Sequence, residues 1–207
     1  MADAADLFCA EARFAQVPMQ GAQVYLLRAL PMHEPVDGLL SRLIEQTPWQ
    51  TGNVTLWGKR YPQPRLTAWY GDPDAVYTYS GMRLQPMAWT ADLQRIRAKV
   101  EAATGAQFNS VLLNYYRDQR DSIGLHSDDE PELGAQPVIA SLSLGEERVL
   151  LLKHRRDKTV KPVRIKLNSG SLLLMKGETQ RNWKHGIAKQ VRVCGPRVNL
   201  TFRRIEG

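Results

Sequence analysis

RVNLTFR, residues 197–203, alternates without a break: Val198, Leu200 and Phe202 are apolar, while Arg197, Asn199, Thr201 and Arg203 are polar. Side chains point to opposite faces along a strand, so this stretch reads as β-structure with one face in a core and two arginines on the other. The two arginines are separated by about 20 Å of strand at ~3.3 Å per residue. Two long side chains leaning together would close most of that gap and bracket a small dicarboxylate. Arginine suits such a ligand because its planar fork pairs bidentately with a carboxylate. A solvent-facing polar strand would show the same alternation, and the strand alone does not choose between the two.

It is the last of a run. FNSVLLNYY (108–116), PVIASLSLG (137–145), RVLLLKH (148–154), VRIKLN (163–168) and GSLLLMKG (170–177) are rich in β-formers or alternate, with Gly, Pro and Asn between them. Before residue 107 the pattern is helical in two places, EPVDGLLSRLIEQTPW (34–49) and MAWTADLQRIRAKVEAATG (87–105). In the second, Thr90 reads as the N-cap, Leu93, Ile96 and Val100 fall at helical spacing, and Gly105 ends the helix. Helices followed by many short strands predict an α+β fold, a sandwich or barrel of the jelly-roll kind with N-terminal helices. No repeat, low-complexity tract or linker divides residues 1–207, so a single domain is expected.

Composition bounds the function. The 207 residues carry 28 Lys+Arg against 21 Asp+Glu, a net charge of +7. The excess is C-terminal: RVLLLKHRRDKTVKPVRIK (148–166) holds eight basic residues and one acid, Asp157. That is either a solvated loop between strands or the electrostatic footprint of a phosphate backbone. Two cysteines, Cys9 and Cys194, cannot build a disulfide framework, and isolated thiols of this kind are expected to be reduced, buried and inert. The opening MADAADLFCAEARF lacks a cationic and apolar leader, and nothing downstream approaches about 18 uninterrupted apolar residues. A cytoplasmic protein with no membrane partner is expected, or a nuclear one in a eukaryote.

Against this basic background GLHSDDEPELG (124–134) packs four carboxylates and a histidine. His126 and Asp128, two apart, fall on one side of an extended segment, and His185 in QRNWKHG is the remote partner available. Two histidines and a carboxylate form the facial triad of non-haem Fe(II) oxygenases, which keeps positions open. The same three ligands would also serve zinc in a hydrolase. His33 and His154 lack such company and read as structural.

NYY at 114–116, HSDDE at 126–130, KHG around 185 and RVNLTFR at 197–203, in that order, closely resemble the AlkB family of 2-oxoglutarate- and Fe(II)-dependent dioxygenases, its DNA-repair demethylase branch in particular, over residues 56–205. The resemblance implies a double-stranded β-helix over about 107–205, with an N-terminal extension over about 1–50 and a nucleotide-recognition hairpin and lid over about 51–85. It implies that His126, Asp128 and His185 ligate Fe(II). Asn114, Tyr116, Arg197, Asn199, Thr201 and Arg203 would hold 2-oxoglutarate. Asp129 and Glu130 remain for contacts around the metal or to substrate.

Upstream, PRLTAWYGDPDAVYTYSG (64–81) places Trp69, Tyr70, Tyr77 and Tyr79 among prolines and glycines. Such aromatics either pack the core or offer stacking faces to an extruded base. In the family-like arrangement Tyr79 stacks on the base and Tyr77 joins a hydrogen-bond network with Glu130. Trp57, in NVTLWGKRYPQPR (53–65), would wedge into the duplex where the base had been.

The activity so implied is oxidative demethylation of alkylated nucleic acid, DNA ahead of RNA. 1-Methyladenine and 3-methylcytosine would be repaired with release of formaldehyde, while 2-oxoglutarate and oxygen become succinate and carbon dioxide. Both lesions are cationic, which gives the neighbouring carboxylates a reason. The catalytic constellation needs one chain, so a monomer is expected. A dioxygenase of the same mechanism acting on RNA or protein stays open, as does a non-catalytic nucleic-acid-binding module. The zinc hydrolase gives Arg197 and Arg203 no task.

Overall fold

The protein's structure, a computed structural model, describes residues 13–56, 59–79 and 82–206. The first hundred residues contribute β1 (Ala15–Val17), β2 (Gln23–Leu27), α1 (Val36–Gln46), β3 (Gln50–Leu56), β4 (Lys59–Gly71), β5 (Tyr77–Tyr79), β6 (Met82–Leu84) and the start of α2 (Ala91–Thr104). Then come β7 (Ser110–Tyr116), β8 (Ile123–His126), β9 (Ile139–Gly145), β10 (Arg148–His154) and β11 (Val163–Leu167). The chain finishes with β12 (Leu172–Lys176), the helical turn α3 (Thr179–Asn182), β13 (Trp183–Ile187) and β14 (Arg197–Arg203).

α2 has the predicted ends. The Thr90 hydroxyl accepts from the Leu93 N–H at 3.2 Å, and Gly105 closes the helix at φ 68°. Leu93, Ile96 and Val100 are its buried face, and Leu39, Leu40 and Leu43 are that of α1. Each such side chain contributes roughly 1.5–3 kcal/mol when fully buried.

Two antiparallel sheets make the body. The larger runs β1-β2-β12-β9-β14-β7-β4-β3 and the smaller β11-β10-β13-β8, while β5 and β6 pair separately. Interleaving strands distant in sequence is the mark of a jelly roll. The larger sheet buries both faces. Ala140, Leu142 and Leu144 of β9, Leu172 and Leu174 of β12, and Val198, Leu200 and Phe202 of β14 share a core with the helices. The opposite face looks toward the smaller sheet. Ile139, Leu173, Met175 and Tyr116 meet Leu150, Leu152, Ile165, Leu167 and Trp183 there.

Before position 50 the helix read from residues 34–49 is present as α1, and two strands not read from the sequence accompany it. Among the described residues there it is the one helix, and β1 and β2 join the larger sheet, β2 pairing with β12 from Leu27↔Leu172 to Gln23↔Lys176. Val24 is fully buried between the sheets. Five residues are too few for periodicity to mark β2 as a strand; its partner supplies the missing hydrogen bonds. Cys194 is a free thiol and half-buried rather than buried, on the loop before β14. Cys9 lies outside the described residues.

Candidate metal and dicarboxylate site

The polar face of β14 turns inward. Arg197, Asn199 and Thr201 are all buried, and the register Arg197↔Tyr116 and Asn199↔Asn114 on one side, Arg197↔Gly145 and Asn199↔Ser143 on the other, lines them up with β7 and β9. A polar strip therefore runs through the interior of the sandwich. Buried polar groups must find partners, and here they find one another. The Asn199 amide donates to Ser141 Oγ at 2.7 Å and the Leu142 carbonyl at 3.1 Å, and Thr201 donates to Asn199 Oδ1 at 2.9 Å. Arg65 Nε donates to Asn114 Oδ1 at 2.8 Å.

Arg197 is the exception. Nη2 reaches Ser143 Oγ at 3.0 Å, but Nε and Nη1 have no partner among the described residues. Burial lowers the guanidinium's pKa, Tyr116 opposes the shift, and the nearby Arg148 reinforces it. A buried fork with two open donors fits a carboxylate, the ligand for which this geometry is suited.

The three candidate metal ligands meet at the other end of the strip. One donor atom from each of His126, Asp128 and His185 lies within 4.8 Å of the other two. His126 closes β8 and His185 sits mid-β13, paired directly across the ladder. The pairing slips between His185 and Ile187, and Gly186 occupies the slip. A Cβ at Gly186 would stand 2.9 Å from the carbonyl oxygens of Ile123 and Gly124, so the close approach of β8 needs glycine.

Each ligand is oriented from behind. His126 Nδ1 lies 2.9 Å from the Gly124 carbonyl, which leaves Nε2 facing Asp128. Asp128 is held at its main-chain N–H by Gln180 Oε1, 3.1 Å away, and at Oδ1 by Arg203 Nη2, 2.9 Å away. Ser127 Oγ donates to the Trp183 carbonyl at 2.9 Å and ties the acidic loop to β13. Burial pushes the Asp128 carboxyl up, yet Arg203, His185 and His126 together hold it below the usual carboxylate range. Burial pushes His185 down to about 4 against the pull of Asp128. An ionised carboxylate beside a neutral imidazole is the protonation state that a divalent metal requires. Asp128 Oδ2 is buried with no hydrogen-bond partner among the described residues, 4.0 Å from His185 Nε2. The donor set and the orphaned oxygen fit a metal.

Arg203 stands at the metal carboxylate and Arg197 at the far end of the same strand face, with Asn199 and Thr201 between them. Asp129 is not free: Arg155 pairs with its carboxylate and also donates to the Gln180 carbonyl at 3.1 Å. Glu130 lines an adjoining cavity of about 470 Å³ with Asp129, Arg155, Arg156 and Gln180. Of the aromatics, Tyr70 is in the core. Trp57 lies outside the described residues, and so do the side chains of Tyr77 and Tyr79, although the backbone of both runs in β5. His154 is structural, accepting from the Asp157 N–H at 2.9 Å and standing edge-on to Trp183.

Sequence reading missed Gln180, Ser141, Ser143 and Arg148. The serines had a signal, since Ser141 and Ser143 alternate with Ala140, Leu142 and Leu144 as the polar residues of β14 do. Gln180, in the four-residue turn TQRN, had none.

A family model described as the 2OG-Fe(II) oxygenase superfamily matches residues 23–203. The rat "Alpha-ketoglutarate-dependent dioxygenase alkB homolog 3" is 44% identical over 177 residues, 82% of this chain and 59% of that protein. The mouse "DNA oxidative demethylase ALKBH2" is 42% identical over 178 residues, 82% of this chain and 74% of that protein. The chain spans 59–61% of the length of the rat, mouse and human alkB homolog 3 proteins. Among solved structures, that of OsALKBH1 superposes with a TM-score of 0.63 at 20% identity, covering 93% of this chain and 100% of that one, a likeness of fold. By its matched length, its identity to these relatives and its fold, the chain belongs to the 2OG-Fe(II) oxygenase superfamily and, within it, to the AlkB family.

Proposed function

We propose that the protein is an Fe(II)- and 2-oxoglutarate-dependent oxidative demethylase of alkylated nucleic acid, repairing 1-methyladenine and 3-methylcytosine. The observation that carries this reading is the buried Asp128 carboxylate, 3.6 Å from His126 Nε2 through Oδ1 and 4.0 Å from His185 Nε2 through an Oδ2 with no hydrogen-bond partner among the described residues, together with the open donors of Arg197. Relatives named as a DNA oxidative demethylase and an alkB homolog support the substrate class.

In this reading His126 Nε2, His185 and Asp128 would hold the metal, a two-histidine, one-carboxylate donor set of the kind that serves Fe(II) oxygenases. Iron bound there, with 2-oxoglutarate and oxygen, supplies the oxidation that turns an N-methyl carbon into formaldehyde as the co-substrate leaves as succinate and carbon dioxide. The chain's own work is placement. Arg197, Asn114 and Tyr116, with Asn199, Thr201 and Arg203 along the same strand face, hold 2-oxoglutarate, Arg197 receiving its remote carboxylate, and Arg203 also keeps Asp128 ionised and aimed. Asp129 and Glu130 would stand on the substrate side, where Glu130 in particular, since Arg155 already pairs with Asp129, would favour a cationic methylated base over its neutral parent. By the family resemblance Trp57 would be the wedge, and Tyr77 and Tyr79 would serve the extruded base. The seven exposed basic residues of 148–166, all but the buried Arg148, would face the phosphate backbone, DNA ahead of RNA, and the working unit is one chain in the cytoplasm, or the nucleus of a eukaryote. Among the described residues no helix is long and apolar enough to cross a membrane.

The test is succinate and formaldehyde release with Fe(II), 2-oxoglutarate and an oligonucleotide carrying 1-methyladenine, single- and double-stranded, beside H126A. Formaldehyde from wild type alone is expected. Succinate without formaldehyde rejects the substrate, and neither product from iron-loaded protein rejects the reaction. W57A is expected to lose more activity on duplex than on single strand.

A further inference from the structure

Arg148 and Arg197 stand against the same ring. Their guanidinium carbons are 5.6 Å and 5.1 Å from the centroid of Tyr116, and each residue is 1% exposed. Arg148, at the start of β10, was not among the predicted site residues. Its polar partners are main-chain carbonyls: Nη1 donates to Asp118 at 3.2 Å, and Nη2 to Asp121 at 2.9 Å and Ala188 at 2.8 Å. Nε has no partner among the described residues. No carboxylate of those residues lies in ion-pair contact with Arg148 or Arg197, since Asp118 is taken by Arg120 and Asp121 by Arg117.

Two buried cations at one ring without a counter-ion are costly by themselves. Joining the 118–121 turn to residue 188 calls for hydrogen-bond donors and does not call for charge. The charge has a use if an anion docks beside it. Tyr116 is the element the two arginines share, and it pairs with Arg197 across the β7–β14 ladder.

We propose that Arg148 is a positioning residue for the dicarboxylate co-substrate. Its fork, anchored on three carbonyls, backs the Tyr116 ring against which Arg197 rests. Its charge adds to that of Arg197 at the end of the strip remote from the metal. The pair then selects a 2-oxo acid with a second carboxylate over one without it, through charge in a site of low effective dielectric. The inference rests on the reading of this strip as the 2-oxoglutarate site.

The experiment is calorimetric titration of Mn(II)-loaded protein, without oxygen, with 2-oxoglutarate and with 2-oxobutyrate, which lacks the second carboxylate. Wild type is expected to bind 2-oxoglutarate far more tightly, and a wild type that does not discriminate overturns the reading of the strip itself. In R148M the 2-oxoglutarate Kd is expected to rise about 10-fold while that for 2-oxobutyrate stays within about 2-fold. Equal losses for both ligands, or no loss, overturn the assignment of Arg148 and leave the strip intact. Should R148M fail to fold, R148K decides: it keeps the charge and loses the three-carbonyl fork. A lower Tm with discrimination within about 3-fold of wild type supports the proposal. A 10-fold collapse of discrimination in R148K assigns the effect to fork geometry and overturns the charge role.

Discussion

Arg203 Nη2 donates to Asp128 Oδ1 at 2.9 Å, across 75 residues of sequence. The same strand that carries Arg197, the proposed dicarboxylate anchor, thus also steadies Asp128, the acidic member of the proposed metal triad. One oxygen of Asp128 is occupied by arginine and the other is left for the metal. Partners that orient a ligand from behind commonly contribute 10–100-fold to metal affinity. R203M is therefore expected to weaken Mn(II) binding by at least about 10-fold in an EPR titration, and an unchanged Kd would show that Asp128 is held by other means.

Gln180 acts on the same ligand from the other side. Its Oε1 accepts the Asp128 N–H and its Nε2 donates to Met175 Sδ at 3.5 Å, all of it buried. Q180L is expected to cost about 1–3 kcal/mol in urea unfolding, the penalty of a stranded buried donor. Mn(II) affinity should fall with it. Lost stability with full metal affinity would make Gln180 a structural residue alone.

Asp129 and Glu130 are not equivalent. Arg155 already pairs with Asp129, whereas Glu130 lines the cavity next to the triad. E130Q is therefore expected to reduce the preference for 1-methyladenine over adenine oligonucleotides severalfold, and D129N to do so less, as read from competition binding. The reverse order would mean that Arg155 releases Asp129 when substrate arrives.

The turn beneath Arg148 should be acid-sensitive. Burial raises the Asp121 carboxyl, but Arg117, through its side chain, its N–H and its charge, outweighs burial and leaves the group below its ordinary value. The unfolded chain then binds the proton more readily than the folded one, so this contribution is complete above about pH 4 and fades as pH falls through the depressed value. D121N should be less stable than wild type at pH 7, and the difference should narrow at pH 3.5 in urea unfolding. A constant difference would assign the cost to shape rather than charge.

Several features are legible in the sequence alone. α2 carries its own cap and stop in Thr90 and Gly105, and β14 declares its two faces by strict alternation, so local periodicity sufficed for both. His126 and Asp128 are two residues apart, and an extended backbone puts them on one side without help. The identity of the triad and of the two arginines could be named because type and order along the chain persist whatever the fold does with them.

Distance across the chain is what sequence cannot carry. His185 meets His126 because β13 and β8 pair in a slipped register that Gly186 permits. β2 is a strand because β12 lies beside it. Arg203 of β14 meets Asp128 because the acidic loop after β8 folds back onto it. Gln180 and Arg148 became visible only through what they touch. Alternation, capping and motif spacing are short-range properties of the backbone and are written locally. Which buried polar groups satisfy one another depends on hydrogen bonds between strands far apart in sequence, and only the packed sandwich sets those.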